Sequence, residues 1–483
     1  MSANLICMGV DLGTGGARAV AMSFQGQLVA EGRADFPAAA SRAEGPRVEQ
    51  DPLAWTAAAE AALREATSRL PVGCEIVGIA VDATSGTFLL CDDDNRPLTP
   101  GVMYNDMRAA AETPEAADAV RDALAPYGIQ VATAFALPKL LHFARHEPAV
   151  FRRCRRVVHQ TDWIVGALCG RCDVSDVSTA LKTGVDPASL QWPEPIESRL
   201  GIPHRLLPEV VLPGTPVGRV TSEAAAATGL PAGVPVVAGA TDGIAGCLAS
   251  GAKEAGDVNV TLGTTLIFKA ISPQPLLDPD GVVYNHRHPA GGYLPGAASS
   301  TGAEWVEKFF RGENLERLGR EAAARLPTRQ IVYPLVKTGE RFPFACATAV
   351  GFGLDEIDDP IVRFAAGMEG TAFLERLGME RLEQLGLRIG PTAYATGGAV
   401  AGETWLRVRA AVSGRTYSVP RYPQCAVGAA VLAAMPHVGT CRDAVAALVR
   451  PGRMVDSERR LAAAYAETLE RFRAALQERG WLL

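Results

Sequence analysis

Two apolar runs, Leu5 to Val10 and Ala19 to Phe24, flank the stretch Asp11-Leu12-Gly13-Thr14-Gly15-Gly16-Ala17-Arg18. No other part of the chain restricts the fold as much. Each run is short and rich in β-formers, so the pair is expected as buried strands joined by a glycine turn. The glycines are expected to reverse the chain at positive φ and to bring backbone N–H groups close to an anion. Thr14 adds a hydroxyl, Arg18 a cation and Asp11 a carboxylate suited to the water shell of a metal ion. Such a hairpin suits the phosphates of a nucleotide with Mg²⁺; an ordinary tight hairpin is the alternative. Two other glycine loops are excluded. A dinucleotide fingerprint needs glycine at position 18 and a helix after it, whereas Gly26 turns the chain and Leu28-Val29-Ala30 resumes an extended pattern. The P-loop pattern G-x-x-x-x-G-K-[ST] occurs nowhere.

The same signal returns in the second half. Asp257 to Leu262 predicts a strand, Gly263-Thr264-Thr265 a turn and Leu266 to Ile271 a returning strand, so Leu262-Gly263-Thr264 repeats Leu12-Gly13-Thr14. The simplest account is a duplicated α/β fold in which each half offers one phosphate-binding hairpin to a shared cleft. At 483 residues the chain has room for two full cores, and the break at Gly251–Gly256 sets domains at 1–250 and 251–483.

Between the hairpins, Asp51 and Pro52 start a helix running to about Arg69. Glu75 to Val81 predicts a central strand, leaving Asp82 and Ser85 in the loop beyond it. Phe88 to Cys91 predicts another strand, and Tyr104-Asn105-Asp106 a second polar cluster. The proline-rich middle, 111–229, is expected to be helical and looped. Val234 to Ala240 predicts a buried strand that Thr241-Asp242-Gly243 turns into a helix.

A net charge of −6 leaves no electrostatic footprint for nucleic acid, and no apolar run is long enough to cross a membrane. No signal peptide is visible, and the ten scattered cysteines suit a reducing compartment, so a cytoplasmic location is expected. Cys169-Gly170-Arg171-Cys172 is a C-x-x-C without a second pair. No heptad run or interface patch specifies assembly; a homodimer stays open.

These blocks resemble the FGGY family of carbohydrate kinases, within the actin-like ATPase superfamily, over nearly the whole chain. The matching residues are D-L-G-T-G-G-A-R at 11–18, A-G-A-T-D-G at 238–243, L-G-T-T at 262–265, G-E-R-F-P at 339–343, G-G-A at 397–399 and C-A-V-G-A-A at 425–430. Within the family, D-A-T-S-G-T-F-L-L-C-D at 82–92, Tyr104-Asn105 and Gly291-Gly292-Tyr293 look most like the D-ribulokinase subgroup of cyanobacteria and plants. Some members of that subgroup carry the label xylulose kinase. The usual xylulokinases have Met-His-Gly near 85 and Trp-Asn-Asp near 104; here stand Ser85-Gly86-Thr87 and Tyr104-Asn105-Asp106.

The resemblance implies two ribonuclease-H-like domains around a central cleft, ATP and Mg²⁺ as cofactors, and a small sugar as acceptor, D-ribulose first among them. Asp242 then takes the acceptor's proton, although Asp is also a common helix N-cap. Asp11 is the second choice of base and fits better beside Mg²⁺ through water. Gly13, Thr14, Gly15 and Arg18 face the transferring phosphoryl group, and Gly263, Thr264 and Thr265 the inner phosphates. Gly302, Gly397 and Gly398 lie toward adenosine. Asp11, Gly15, Ser85, Tyr104, Asn105 and Asp242 form the sugar side, with Tyr104 equally explained as a half-buried packing residue. The sequence departs from the family at Thr396-Gly397-Gly398-Ala399-Val400, where G-G-G-A-K is usual, and the segment to Trp405 is one residue longer. The remaining alternatives are a D-xylulose or pentitol kinase, and a non-catalytic actin-like nucleotide-binding protein.

Overall fold

The structure, a computed structural model, describes residues 4–482. The described chain divides into two units. The first comprises 1–249, 286–291 and 424–450; the second comprises 250–285, 292–423 and 451–483.

In the first unit, β1 (Asn4–Leu12), β2 (Gly16–Ser23) and β3 (Leu28–Asp35) form an antiparallel meander. The chain then crosses through α1 (Pro52–Ser68) to Cys74–Ala83, which pairs with β1 in parallel. Pro235–Val237 and Ala240–Thr241 extend the sheet on the other side of Cys74–Ala83. Asp51 caps α1 through Leu53 N–H, and Pro52 fills its first turn, where no donor is missed. Trp55, Ala58, Ala59, Ala62, Leu63 and Ala66 recur at helical spacing and bury one stripe against the sheet. The small size of the alanines lets the backbones come close. A Cβ on Gly32 of β3 would sit 2.1 Å from the Ala62 carbonyl.

The helix Cys425–Val438 covers the same sheet in the same way. A Cβ on Gly9 would meet the Ala426 carbonyl at 1.9 Å, and one on Gly78 the Ala433 carbonyl at 2.8 Å. One turn on, a Cβ on Gly428 would lie 1.9 Å from the Ala245 carbonyl of the helix Asp242–Ala249. Strand and helix glycines therefore seat the late helix Cys425–Val438 against β1 and against the helix that Asp242 heads.

The second unit repeats this order of connections. Val258–Leu262 and Leu266–Ala270 form an antiparallel hairpin, Tyr293–Ala298 adds a third antiparallel strand, and Thr392–Thr396 joins Val258–Leu262 in parallel. Its core gathers Phe268, Trp305, Phe342, Phe364 and Trp405. A buried Arg409–Glu375 ion pair at 2.7 Å, with the Tyr417 hydroxyl donating to Glu375 at 2.6 Å, ties the helices Pro360–Gln384 and Glu403–Ser413 to the strand Thr416–Pro420.

Three local expectations change. Cys74–Ala83 runs one residue beyond Asp82, so this carboxylate lies inside a central strand, fully buried, rather than in a loop. The parallel partners on both sides hold the strand extended past the last apolar residue that the sequence pattern marks. The strand expected over 234–240 breaks at Ala238-Gly239, where a Cβ on Gly239 would lie 1.7 Å from the Val81 carbonyl. Finally, Gly13, Gly15 and Gly16 do not adopt positive φ. The turn closes by Gly13 N–H donating to Gly16 O at 3.1 Å, a geometry open to other residues.

Candidate active site

The opening turn is held from behind. Trp55 Nε1–H donates to Gln50 Oε1 at 2.8 Å, and Gln50 Nε2–H donates to the Thr14 carbonyl at 2.9 Å. Phe36 N–H donates to the Gly15 carbonyl at 2.8 Å. Gly16 must be glycine because a Cβ would lie 2.4 Å from the Ala34 carbonyl of β3. Gly13 and Gly15 differ, since a Cβ on either would meet nothing within 4 Å. The protein's own packing does not require glycine there. What glycine preserves is an open approach to the backbone of the turn.

Three carboxylates meet beside this turn, and the sheet register places them. Asp11 on β1 pairs in parallel register with Asp82, and Asp82 with Ala240 on the next strand, two residues before Asp242. All three acids thus stand at the carboxyl ends of neighbouring parallel strands, the usual location of ligand sites in such sheets. Asp242 begins a helix and accepts from Gly243 N–H at 2.6 Å. Thr241 N–H donates to Ser178 Oγ at 3.0 Å, which fixes the turn into that helix. Arg18 lies opposite Asp11 across the hairpin and offsets part of its charge.

Burial raises the Asp11 carboxyl above the ordinary range, and Asp82 is pushed well above it by burial and then by the charges of Asp11 and Asp242. Neither Asp82 oxygen has a hydrogen-bond donor. Cys425 at the start of its helix brings a sulfur to the same place: one ligand atom each from Asp11, Asp82 and Cys425 lies within 4.8 Å of the others. The thiol is driven far up by burial and then by the three acids. Buried oxygens without donors, next to a second carboxylate, are the donor set that a divalent cation satisfies. Neither Asp82 nor Cys425 figured among the candidate site residues. Asp82 ended an otherwise apolar run and opened the block 82–92, and Cys425 opened the block 425–430, but neither signal names a role.

Ser85, Tyr104 and Asn105 lie in one neighbourhood. Thr87 Oγ1 accepts from Tyr104 N–H at 3.2 Å and shares a 2.8 Å hydrogen bond with Thr84 Oγ1. Asn105 is exposed and Tyr104 keeps 37% of its surface exposed, so both reach solvent while part of the Tyr104 ring stays packed. Behind them, Lys139 of the helix Ala136–His146 is fully buried and donates to the carbonyls of Met103 at 2.7 Å, Tyr104 at 3.0 Å and Ala134 at 3.4 Å. Burial lowers its pKa to about 7.

Lys139→Met should cost about 2–3 kcal/mol near neutral pH, because buried carbonyls lose their donor. Between pH 7 and about 10.4 the unfolded chain holds a proton on Lys139 that the folded chain does not, so wild-type stability rises with pH. The gap to Lys139→Met in urea titrations should therefore widen over that range. A closing gap would mean that folding raises the lysine pKa.

In the second unit, Gly263 N–H donates to the Thr265 carbonyl at 3.0 Å and Ala303 N–H to the Gly263 carbonyl at 2.8 Å. Gly302 and Gly397 converge on this hairpin. A Cβ on Gly302 would lie 2.5 Å from the Thr264 carbonyl, and one on Gly397, at φ 90°, 2.4 Å from the Leu262 carbonyl. Gly398 opens a short 3₁₀ turn and, like Gly263, has open space where a Cβ would stand. Glu340 organises the neighbouring strand end. Its buried carboxylate accepts from Ser299 Oγ at 3.0 Å, Ser300 N–H at 2.5 Å, Thr301 Oγ1 at 2.7 Å, Tyr333 OH at 2.6 Å and Arg341 N–H at 2.9 Å. The G-E-R-F-P segment thus fixes residues 299–301 immediately before Gly302.

Residues 6–249 match the N-terminal domain, and residues 258–437 the C-terminal domain, of the FGGY family of carbohydrate kinases. The chain belongs to this family. It is an ATP-dependent sugar kinase with a two-domain, actin-like α/β fold. It is 28% identical over 417 residues to the xylulose kinase of Escherichia coli K12, covering 84% of this chain and 85% of that one. It is 28% identical over 455 residues to the autoinducer-2 kinase of Yersinia pestis Pestoides F, covering 88% and 85%. The crystal structure of a xylulose kinase from Rhodospirillum rubrum superposes with a TM-score of 0.84 at 28% identity, covering 98% of each chain. As in the sequence, the expected FGGY site residues fall in two sets: Asp11 to Arg18, Ser85, Tyr104, Asn105 and Asp242 in the first unit, Gly263 to Thr265, Gly302, Gly397 and Gly398 in the second. Among the described residues no helix is long and apolar enough to cross a membrane. Cys172 of the C-x-x-C is buried with its thiol raised to about 12, and Cys169 is raised also, so neither is poised as a thiolate.

Proposed function

We propose that this FGGY kinase phosphorylates a ketopentose, D-ribulose first, giving D-ribulose 5-phosphate, with Asp242 as general base. The observation that carries the reading is the meeting of Asp11, Asp82 and Asp242 at the ends of neighbouring parallel strands, beside an open glycine turn. Phosphoryl transfer is mainly positioning and charge stabilisation, so the protein's part is to hold two substrates and one proton acceptor in line. Asp242 receives the proton of the primary alcohol as the bond to phosphorus forms. Gly13, Thr14, Gly15 and Arg18 hold the transferring phosphoryl group by backbone N–H, hydroxyl and guanidinium.

Residues 251–483 form the nucleotide domain in this reading, except for 286–291 and 424–450, which belong to the first unit. Gly263, Thr264 and Thr265 take the inner phosphates, with Gly302, Gly397 and Gly398 beside adenosine. Residues 1–250 form the sugar domain, in which Asp11, Gly15, Ser85, Tyr104, Asn105 and Asp242 face the acceptor. The donor-free oxygens of Asp82 beside Asp11 fit a Mg²⁺ ion held through Asp11. When bound, Mg²⁺ neutralises charge on the phosphates.

D-Ribulose is favoured by Ser85-Gly86-Thr87 and Tyr104-Asn105, which replace the residues usual in xylulokinases. D-Xylulose is the second reading, favoured by the names of the relatives. A coupled ADP assay over D-ribulose, D-xylulose, pentitols and glycerol tests both. The highest kcat/KM is expected for D-ribulose, and a higher value for D-xylulose would replace the first reading by the second. Sugar-independent ADP release alone would exclude both.

A further inference from the structure

A second cluster of metal-binding side chains lies in the first unit, apart from the three acids described above. Glu112 stands immediately before the helix Thr113–Leu124, and His142 and His146 lie one turn apart near the end of Ala136–His146. An i, i+4 pair projects from one helix face, and the two imidazole rings have centroids 4.6 Å apart. Glu112 Oε1 is 2.8 Å from His146 Nε2, and Glu112 Oε2 is 3.5 Å from His142 Nδ1. One ligand atom from each of the three residues lies within 4.8 Å of the others.

Two further observations go beyond proximity. Glu112 is 4% exposed, and its Oε2 has no hydrogen-bond partner; neither has His142 Nδ1. A carboxylate oxygen and an imidazole nitrogen therefore face one another at 3.5 Å without a hydrogen bond. The cations around the cluster are engaged elsewhere: Arg108 pairs with Asp106 and Glu49, and Arg145 with Glu115. His146, with 55% of its side chain exposed, leaves one side open for entry of an ion and for a water ligand.

We propose that Glu112, His142 and His146 bind a divalent transition-metal cation, Zn²⁺ in the first instance, with water in the fourth position. Two imidazoles and one carboxylate form a borderline donor set suited to Zn²⁺ and poorly suited to Mg²⁺ or Ca²⁺, which take oxygen ligands. Ligands held about 2.0–2.1 Å from a tetrahedral Zn²⁺ lie about 3.4 Å apart, and with one ligand atom from each residue already within 4.8 Å of the others, small side-chain shifts close the site. Bound there, the ion joins the start of one helix to the end of the other. The second helix also carries Lys139, which holds the backbone of Met103 and Tyr104. The role is a clasp that stiffens this support, separate from the kinase chemistry.

The test uses full-length protein stripped with EDTA, titrated calorimetrically with Zn²⁺ in excess Mg²⁺. Wild type should take up one equivalent, and its thermal midpoint should rise. His146→Gln, at an exposed position, should weaken that binding by more than about a hundredfold and abolish the rise. Glu112→Gln should do the same. Co²⁺ substituted into wild type should give a tetrahedral absorption spectrum without a thiolate charge-transfer band, which separates this site from the free cysteines and needs no variant. Equal uptake by wild type and His146→Gln, a thiolate band, or no stoichiometric uptake would each overturn the proposal.

Discussion

Asp242→Asn should lower kcat by about 10²–10⁴-fold, the range over which a positioned general base contributes, and leave the nucleotide Kd unchanged. The amide keeps the size of the side chain and its place at the start of the helix Asp242–Ala249, so the fold stays intact. It removes the only property the proposal assigns to the residue, a lone pair able to take a proton. Asp11→Asn supplies the comparison. It changes the acid paired with Asp82 in the strand register, and its defect should be relieved in part by raised Mg²⁺, whereas that of Asp242→Asn should not. If Asp242→Asn keeps activity within tenfold while Asp11→Asn loses it at every Mg²⁺ concentration, the base is Asp11. Nucleotide affinity measured on both variants separates either result from misfolding.

Glu340→Ala is expected to destabilise the protein by about 2–4 kcal/mol, because a cluster of buried neutral donors loses its charged acceptor. The carboxylate receives three backbone N–H groups, that of Phe342 at the longest distance, and three hydroxyls, and truncation leaves all six to find other partners inside the second unit. Glu340→Gln should rescue it in part, because the amide oxygen can take the place of Oε1 while its NH₂, in place of Oε2, meets only the Thr301 and Tyr333 hydroxyls, which must turn from donors to acceptors. The unit carries the Gly302 turn against Thr264 and Thr265, so KM for ATP should rise in both variants ahead of any change in kcat. Urea unfolding monitored by tryptophan fluorescence, together with initial rates over ATP concentration, checks both parts. A midpoint unchanged in Glu340→Ala would remove Glu340 from its organising role.

The two hairpins were legible because buried strands around a glycine turn leave a dense local signal: apolar runs, β-branched residues and glycines within about twenty positions. The crossover helix α1 was equally legible from Asp51, Pro52 and its alanine stripe. What the sequence hid depends on register. Asp82 belongs with Asp11 because two parallel strands align them, and nothing within ten residues of either states that alignment. The glycine argument also shifted. Gly13 and Gly15 are not there for positive φ, and only the space in front of their backbones shows what their lack of a side chain provides. Glu340 was visible as part of a motif, but four of its donors come from 299–301 and 333 and are brought to it by tertiary packing. His142 and His146 had the spacing of a metal pair, yet their third partner lies thirty residues earlier.

The helix Cys425–Val438 has a consequence for how the protein is made. It covers β1 through glycines whose backbones approach it to van der Waals contact, yet the ribosome delivers it about 175 residues after the rest of the first unit's sheet is complete. At about 5–20 residues per second that interval is roughly 10–35 s. For this time the nascent chain exposes one apolar face of a finished sheet. The first unit thus receives its last segment only after residues 292–423 of the second unit have been made.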